Sequence, residues 1–568
     1  MRNLFFLLTP LFLSLVLSLS SCRHEDHEII SGKGITCTEG MVVSAHPVAS
    51  ETGTAILIRG GNAYDAAAAT GFALAVCYPA AGNIGGGALM VMRDSSGKYT
   101  SLDCREMAPA AATPDMYLDS EGNIFEGMST STHKASGVPG SVAGLLKMHS
   151  EYGILSLEQV IQPSIELAKK GFTLTAKQAA SLNAARRKFT GRNDHDVVFV
   201  RDSLWREGDL LVQEDLARTL ERIRDKGAAG FYSGATADMI VKEMEKGNGL
   251  ISHSDLDNYK SLWREPVRGS YSDYGIISMP PPSSGGIALL QLLGVMERWL
   301  PANPEFHSAE DVHLIAEAER RAYADRAFYL GDPDFTDIPL DELVSDEYLG
   351  HRMSDFDPQH ASLSEEISHG IIPFPESEET THYSVVDKDR NAVSVTTTLN
   401  SSYGSCIVVE GAGFLLNNEM DDFSSKPGYP NIYGLIGGVA NSIAPGKRML
   451  SSMTPTIITR DDKLYMVLGS PGGSTIITSV FQTLINVTEY GMDMQQAVDA
   501  PRFHHQWMPD LIYYEEGTDS LLIQELESMG HRTRLRSPIG RVDAIRLLPG
   551  GILEGGADPR GDDTASGY

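Results

Sequence analysis

The sequence is poor in cysteine and in basic residues, and both shortages exclude classes of protein. It has five cysteines in 568 residues, none in a Cys-x-x-Cys pair, which is too few for a disulfide-stabilised scaffold. Lys and Arg number 46 against 75 Asp and Glu, for a formal net charge of −29. Because nucleic acids and anionic membrane surfaces are bound through basic patches, this balance argues against both as partners.

Long apolar runs are also scarce. A single one, from residue 4 to residue 19, follows a short basic start, and it has the layout of a secretory signal rather than of a transmembrane helix. It ends in Leu19-Ser20-Ser21-Cys22, which resembles a bacterial lipobox. We therefore expect a signal over residues 1–21 and a lipid on Cys22, with an ordinary signal as the alternative. The mature protein would be exported and anchored on the periplasmic side of a bacterial membrane, or at the cell surface.

Recognisable metal and nucleotide motifs are missing as well. The sequence has no His-Glu-x-x-His and no Gly-x-x-x-x-Gly-Lys-[Ser/Thr], so neither a zinc protease nor a phosphate-binding loop is predicted. We assign His382, His504 and His505 to packing and hydrogen bonding, and expect no metal or cofactor. The remaining cysteines lie among apolar or small residues, and we expect buried, unpaired thiols, although three disulfide connectivities are open in an exported protein. They are Cys37, Cys77, Cys104 and Cys406.

The overall composition and the mixture of helical and extended patterns predict a large layered α/β or α+β protein. Apolar residues make up 42% and charged residues 21% of the chain, which is typical of soluble globular proteins. Helices are predicted over 63–77 behind an Asn62 cap, over 141–152, and from Ser308 to Leu330. Two β-branched runs, 381–386 and 392–399, predict a hairpin. An apolar strand over 464–468 leads into a Gly-rich turn and a helix over 475–485, and the stretch 351–379 is expected to be an exposed loop or linker.

The junction between that acidic loop and the hairpin has a chemical interpretation. Glu379 ends the loop, and Thr380 begins the first strand. A threonine hydroxyl is a weak nucleophile that needs a base. If the chain were cut before Thr380, the new α-amine, with a pKa of roughly 7.7–8.0, would serve as that base.

The residues around Thr380 resemble the processing site of γ-glutamyltransferases, which are N-terminal-nucleophile hydrolases. Matching strings occur in order along nearly the whole mature chain, and they are strong together although each is weak alone. The resemblance implies a four-layer αββα sandwich, formed jointly by a large subunit (22–379) and a small subunit (380–568) cut from one precursor. The strings are Gly60-Gly61-Asn62-Ala63, Gly85-Gly86-Gly87, Cys104-Arg105-Glu106-Met107, Gly137-Val138-Pro139-Gly140, Glu379-Thr380-Thr381-His382, Ala500-Pro501-Arg502-Phe503 and Asp558-Pro559-Arg560.

The same resemblance implies a function and a set of roles. Thr380 would attack the Glu379 carbonyl during processing and then the γ-glutamyl amide of glutathione or a related compound, with water or an amino acid or peptide amine as acceptor. Thr398 would contact the nucleophile, and Tyr433 would shield the pocket from water. The remaining roles fall into three sets: oxyanion donors Gly472 and Gly473; α-carboxylate ligands Arg105, Ser451 and Ser452; and α-amine ligands Asn400, Glu419 and Asp422.

The hairpin gives an independent check on one of these residues. A turn at Asp389-Arg390 predicts that Thr380 faces residue 399, with Thr398 and Asn400 on either side. Bulges could shift this register.

Three alternatives remain open. An acylase of the same family would act on glutaryl amides, which lack the α-amine that Glu419 and Asp422 would bind. A poly-γ-glutamate transpeptidase would need a cleft more open than the predicted Tyr433 lid allows. A surface-binding lipoprotein that is neither cleaved nor catalytic belongs to a different class.

Overall fold

A computed structural model describes residues 32–368 and 380–568. Over these residues the backbone forms two seven-stranded sheets with helices on both outer sides. The predicted signal, Cys22 and Glu379 lie outside the described residues.

The strands are short, and most of them are antiparallel to their neighbours. In chain order they are β1 (Ile35–Cys37), β2 (Met41–Ser44), β3 (Gly87–Arg93), β4 (Tyr99–Cys104), β5 (Phe172–Thr173), β6 (Leu210–Leu211), β7 (Leu262–Arg264), β8 (Val267–Tyr271), β9 (Tyr274–Ser278), β10 (Thr380–Val386), β11 (Ala392–Thr398), β12 (Thr456–Arg460), β13 (Lys463–Gly469), β14 (Phe503–His504), β15 (Ile512–Tyr514), β16 (Thr533–Leu535), β17 (Asp543–Leu547), β18 (Leu553–Ala557) and β19 (Thr564–Gly567).

The helices cluster in two groups, one before residue 260 and one after residue 284. They are α1 (Pro47–Ile58), α2 (Ala63–Cys77), α3 (Met128–Ser131), α4 (Ser141–Tyr152), α5 (Leu157–Lys170), α6 (Ala176–Arg192), α7 (Glu214–Lys226), α8 (Ala229–Tyr232), α9 (Ala235–Lys246), α10 (His253–Asn258), α11 (Gly285–Trp299), α12 (Ala309–Tyr329), α13 (Leu340–Leu343), α14 (Asp346–Arg352), α15 (Ile476–Thr488), α16 (Met494–Asp499) and α17 (Ser520–Ser528).

The two sheets enclose the central core between them. One has the order β1-β18-β17-β13-β12-β9-β8, and the other has the order β19-β2-β10-β11-β3-β4-β7. Side chains that alternate along each strand meet between the sheets, among them Val91, Ile457 and Val467. The opposite faces of the two sheets pack against the two helical groups, so the predicted four-layer αββα sandwich is confirmed.

Local sequence signals explain several helix ends. Asn62 caps α2 by accepting from the backbone amides of Tyr64 and Asp65, while Asp65 accepts from the Asn62 amide in a reciprocal capping box. The predicted helices 63–77 and 141–152 match α2 and α4, and Ser308 caps α12. These helix predictions are confirmed.

The prediction for the stretch 351–379 was partly wrong. Its first residues complete α14, and Ser364 and Ile367 are buried. The indole of Trp507 donates to the carbonyl oxygens of both residues, so the distant Trp507 holds a segment that has no local periodicity.

The four cysteines that follow Cys22 are free and buried, as expected. Within the part of the chain that the structure describes, no helix combines the length and the apolar character needed to cross a bilayer.

Candidate active site

The β10–β11 hairpin brings Thr380 and Thr398 together. The register pairs Thr380 directly with Thr398 and Val386 with Ala392. The predicted pairing of Thr380 with residue 399 was therefore wrong by one residue. The reason is a five-residue connection, in which Arg390 adopts a φ of 65° and its amide donates to the Asp387 carbonyl at 3.0 Å.

A glycine turn after β13 faces the Thr380 hydroxyl. The Gly472 amide donates to Thr380 Oγ1 at 2.9 Å. Gly472 has a φ of 132° and Gly473 a φ of 54°, both in the region that favours glycine. A Cβ on Gly473 would lie 2.7 Å from Tyr433 Cδ1, so this position also requires glycine for close approach. Backbone amides in such a turn can stabilise an oxyanion.

Arg105 forms the centre of a buried charged cluster. Its Nη1 lies 2.6 Å from Glu419 and 3.4 Å from Glu106, and its Nη2 donates to Asp422. Burial disfavours the charged form of Arg105, but the three acids outweigh this effect and raise its pKa. Burial also raises the pKa of Glu419 and of Asp422, while Arg105 opposes that shift. Arg105 therefore remains charged and is paired with three acids.

Asp422 and Glu419 do not occupy equivalent positions. Asp422 lines the pocket with a side chain that is 14% exposed, and its second oxygen accepts from Asn431 at 3.1 Å. Glu419 is fully buried behind Arg105. The structure therefore places both predicted amine ligands near the site, but of the two only Asp422 lines the pocket.

Tyr433 covers the pocket. Its hydroxyl donates to the Asn400 carbonyl oxygen, its ring packs against Gly473, and its side chain is buried. Asn400 has a φ of 75°, and its side-chain amide donates to the Asn418 carbonyl at 2.9 Å. Thr398 Oγ1 accepts from the Asn400 amide at 2.7 Å, which ties the end of β11 to this cover.

The two predicted serines form the opposite wall. The Ser451 carbonyl accepts from the Ser284 amide and hydroxyl at 2.8 and 2.7 Å. Ser452 Oγ accepts from Arg326 Nη2 at 3.2 Å. Arg326 belongs to the last turn of α12, and it was not identified from the sequence, where it is one of several arginines on a long helix.

These residues line one small pocket. The Gly472 amide donates to Thr380 just outside the lining, and Glu419 lies behind Arg105. The other residues predicted for catalysis and donor binding all line the pocket. The lining consists of Arg105, Arg326, Thr380, Thr398, Asn400, Asp422, Tyr433, Leu435, Ser451, Ser452, Met453, Gly473 and Ile476.

The histidines considered from the sequence are buried and hydrogen-bonded, as expected. His382 contacts the hydroxyls of Thr396 and Ser384 at 3.0 and 3.1 Å. His504 contacts Thr478 at 2.9 Å, and His505 contacts Asp510 at 3.3 Å.

A separate His/Glu group was missed because one member, His531, lies 218 residues from His313 in the sequence. His313, Glu317 and His531 place their ligand atoms within 4.8 Å of one another. The two histidines already bond to each other at 2.7 Å, and Glu317 pairs with Arg320 and Arg321. Every group therefore has a partner within the protein.

Known proteins match this chain over most of its length. The family model described as gamma-glutamyltranspeptidase matches residues 49–568. A glutathione hydrolase proenzyme of Escherichia coli (strain K12) is 45% identical over 537 residues, which cover 94% of this chain and 93% of the relative. One from Pseudomonas sp. (strain A14) is 47% identical, with 92% of each covered.

Solved structures agree on the fold. A cephalosporin acylase from Bacillus halodurans superposes with a TM-score of 0.82 at 26% identity, covering 96% of this chain and 98% of the acylase. The gamma-glutamyltranspeptidase of Helicobacter pylori has a TM-score of 0.56 at 45% identity, covering 58% of this chain and 94% of that one. On the family match and on these identities, the chain belongs to the gamma-glutamyltranspeptidase family.

Proposed function

We propose that this protein is a self-processing γ-glutamyltransferase and glutathione hydrolase whose nucleophile is Thr380. The observation that carries the proposal is the 2.9 Å bond from the Gly472 amide to Thr380 Oγ1, at the wall of a pocket that also contains Arg105 and Asp422. The pocket therefore combines a nucleophile, an oxyanion donor and side chains of both charges in one small site.

The precursor cuts itself between Glu379 and Thr380, giving subunits 22–379 and 380–568 that remain associated. Thr380 begins β10 in the middle of a sheet, with β2 and β11 on either side, so both fragments share one core. Cleavage frees the Thr380 α-amine, which holds the hydroxyl proton while Oγ1 attacks a carbonyl.

Catalysis then proceeds through a covalent ester. Thr380 Oγ1 attacks the γ-carbonyl of glutathione, its proton passes through the α-amine to the leaving amine, and the C–N bond breaks. Water or an acceptor amine releases the γ-glutamyl group. The amides of Gly472 and Gly473 stabilise the oxyanion, and Thr398, directly opposite on β11, fixes the nucleophile's position.

The pocket recognises the zwitterionic end of the donor. The α-amine binds to Asp422 and Asn400, with Glu419 adding negative charge from behind Arg105. The α-carboxylate binds to Arg105, Ser451 and Ser452. Tyr433 closes over the acyl group and excludes bulk water.

A glutaryl or cephalosporin acylase is the second candidate, because the acylase from Bacillus halodurans shares the fold closely. Glutaryl groups carry no amine. Asp422, although already paired with Arg105 and Asn431, is the acid that reaches the pocket and could bind an ammonium group there, so this observation favours γ-glutamyl donors.

Export and anchoring complete the proposal. A signal over residues 1–21 and a lipid on Cys22 would anchor the exported enzyme on the periplasmic side of a bacterial membrane or at the cell surface, where it would meet γ-glutamyl compounds outside the cytoplasm. Globomycin, which blocks lipoprotein signal cleavage, should leave residues 1–21 attached; normal maturation in its presence would refute lipidation.

The experiment that tests the activity is release of glutamate and cysteinylglycine from glutathione by the purified enzyme, with Thr380→Ala as the control. The wild type should release both products. Equal release by Thr380→Ala would contradict the assignment of the nucleophile.

A further inference from the structure

We propose that the open edge of β16 is a docking surface for the acidic tail of the large subunit, residues 369–379, once self-cleavage has separated Glu379 from Thr380. This inference rests on the proposed function, because it needs the cut at that bond. It assigns an occupant to an arginine-rich surface of the small subunit that lies outside the lining of the Thr380 pocket. The tail itself lies outside the described residues.

The docking surface carries three arginines at alternating positions, Arg532, Arg534 and Arg536. Residues 529–542 contain four arginines and no acidic residue, in a chain whose formal net charge is −29. Arg532 and Arg534 are exposed, and among the described residues neither forms an ion pair within 4 Å. Arg536 lies over the ring of Tyr513, the register partner of Arg534. Because side chains two positions apart share a face of a strand, the three arginines form one basic face.

The edge of β16 that faces away from β15 can accept another strand. Among the described residues, β16 is the last strand of the sheet β14-β15-β16 and pairs only with β15. The Arg536 amide and the Arg532 carbonyl bond to β15 at 2.8 and 2.9 Å. Since backbone groups alternate in direction along a strand, those of Thr533 and Leu535 point to the open side. An exposed edge of this kind is a template for an added strand.

The large subunit runs beside this edge just before the tail begins. The Ala361 amide donates to the Met529 carbonyl at 2.8 Å, and Met529 precedes Arg532 by only three residues. Trp507 Nε1 then donates to the Ile367 carbonyl at 3.1 Å. The tail of eleven residues spans at most roughly 36 Å when extended, so the open edge of β16 is within its reach.

The tail sequence complements the surface in charge and in period. It reads HGIIPFPESEE and contains Glu376, Glu378 and Glu379, and cleavage adds the terminal carboxylate of Glu379. An added strand would place Glu376 and Glu378 on one face, with the same two-residue period as the arginines. Pro373 and Pro375 lack amide hydrogens, but they would fall on the outer edge of a strand whose even-numbered amides face β16.

Tethering favours the tail over a separate acidic peptide. Each exposed ion pair is weak on its own, but a segment attached beside the surface has an effective concentration on the order of millimolar. Two or three weak ion pairs are therefore enough to hold the tail on β16, and a free peptide would have to displace it.

The test measures hydrogen exchange of the tail peptide by mass spectrometry, on the processed enzyme in dilute buffer. The wild type should protect the tail amides, and Arg532→Glu combined with Arg534→Glu should speed their exchange at least roughly tenfold. Sodium chloride at about 1 M should speed exchange in the wild type as well, because it screens exposed ion pairs. The control combines Arg59→Glu with Arg187→Glu, two exposed arginines elsewhere. It makes the same change in net charge and should leave tail exchange within about twofold of wild type.

A charge swap separates a contact between charges from a general loss of folding. Adding Glu376→Lys and Glu378→Lys to the reversed surface should restore the protection of the tail. Exchange that is unaffected by the reversed arginines, or that stays fast after the swap, overturns the inference. If the reversed variant fails to fold, the wild type decides, since unprotected or salt-independent tail exchange also overturns it. A wild-type chain that stays uncut would instead refute the proposed self-cleavage, so the two failures are distinguishable.

Discussion

Replacing Asp422 by asparagine should erase much of the enzyme's preference for γ-glutamyl over glutaryl donors. Asp422 is the acid that reaches the pocket wall, with one oxygen on Arg105 and the other accepting from Asn431 at 3.1 Å. Asparagine has nearly the same shape and keeps one acceptor oxygen. The substitution therefore removes the negative charge while disturbing the packing little.

The size of the effect follows from the interaction that is lost. A hydrogen bond to a charged group contributes about 1.5–3 kcal/mol, which corresponds to roughly a 10- to 100-fold loss in kcat/KM for a donor with an α-ammonium. A glutaryl donor has no ammonium group, so its kcat/KM should stay within about threefold. The assay is the ratio of kcat/KM for γ-glutamyl-p-nitroanilide to that for glutaryl-p-nitroanilide.

The adjacent residue supplies the control. Asp421 is buried, and its oxygens accept from Ser129 at 2.6 Å and from the Ile432 amide at 2.8 Å, away from the pocket. Burial raises the pKa of Asp421 to about 6. Asp421→Asn should lower kcat/KM by the same factor for both donors. If Asp422→Asn left the preference ratio unchanged, Asp422 would not bind the α-amine.

Two further substitutions test packing and electrostatics. Gly473→Ala should lower kcat/KM at least roughly tenfold, because a Cβ at 2.7 Å from Tyr433 displaces the ring. Gly491→Ala is the control, since Gly491 has a similar φ of 66° but open space around it. A wild-type kcat/KM in Gly473→Ala would contradict the assignment of Tyr433 as the lid. Burial opposes ionisation of Glu317, but Arg320 and Arg321 on α12 outweigh the effect of burial and hold the pKa of Glu317 at about 2. Since the folded pKa lies below the unfolded value, the stabilisation of about 3 kcal/mol is complete above pH 4.5 and is lost as pH falls toward 2. The unfolding free-energy difference between wild type and Glu317→Gln should therefore shrink between pH 6 and pH 3, and a constant difference would contradict this.

Features encoded by neighbouring residues could be predicted from the sequence. The Asn62 capping box and the β10–β11 hairpin depend on contacts within about twenty residues, and both are present. The hairpin register was wrong by one residue because a five-residue loop with a left-handed Arg390 is not distinguishable from a two-residue turn by apolar pattern alone.

Features made by distant residues could not be predicted in this way. Arg326 reaches Ser452 across 126 positions, and Trp507 holds Ser364 across 143. No periodicity marks either residue, since only the assembled layers bring them together. The pocket residues that were identified came from their resemblance to a family, not from spacing.

N-terminal sequencing of both chains after purification and prolonged incubation tests the central claim most directly. The account predicts two chains, one of which begins at Thr380, while Thr380→Ala stays uncut. An intact wild-type chain, or a cut that leaves Thr380 inside a fragment, would contradict it.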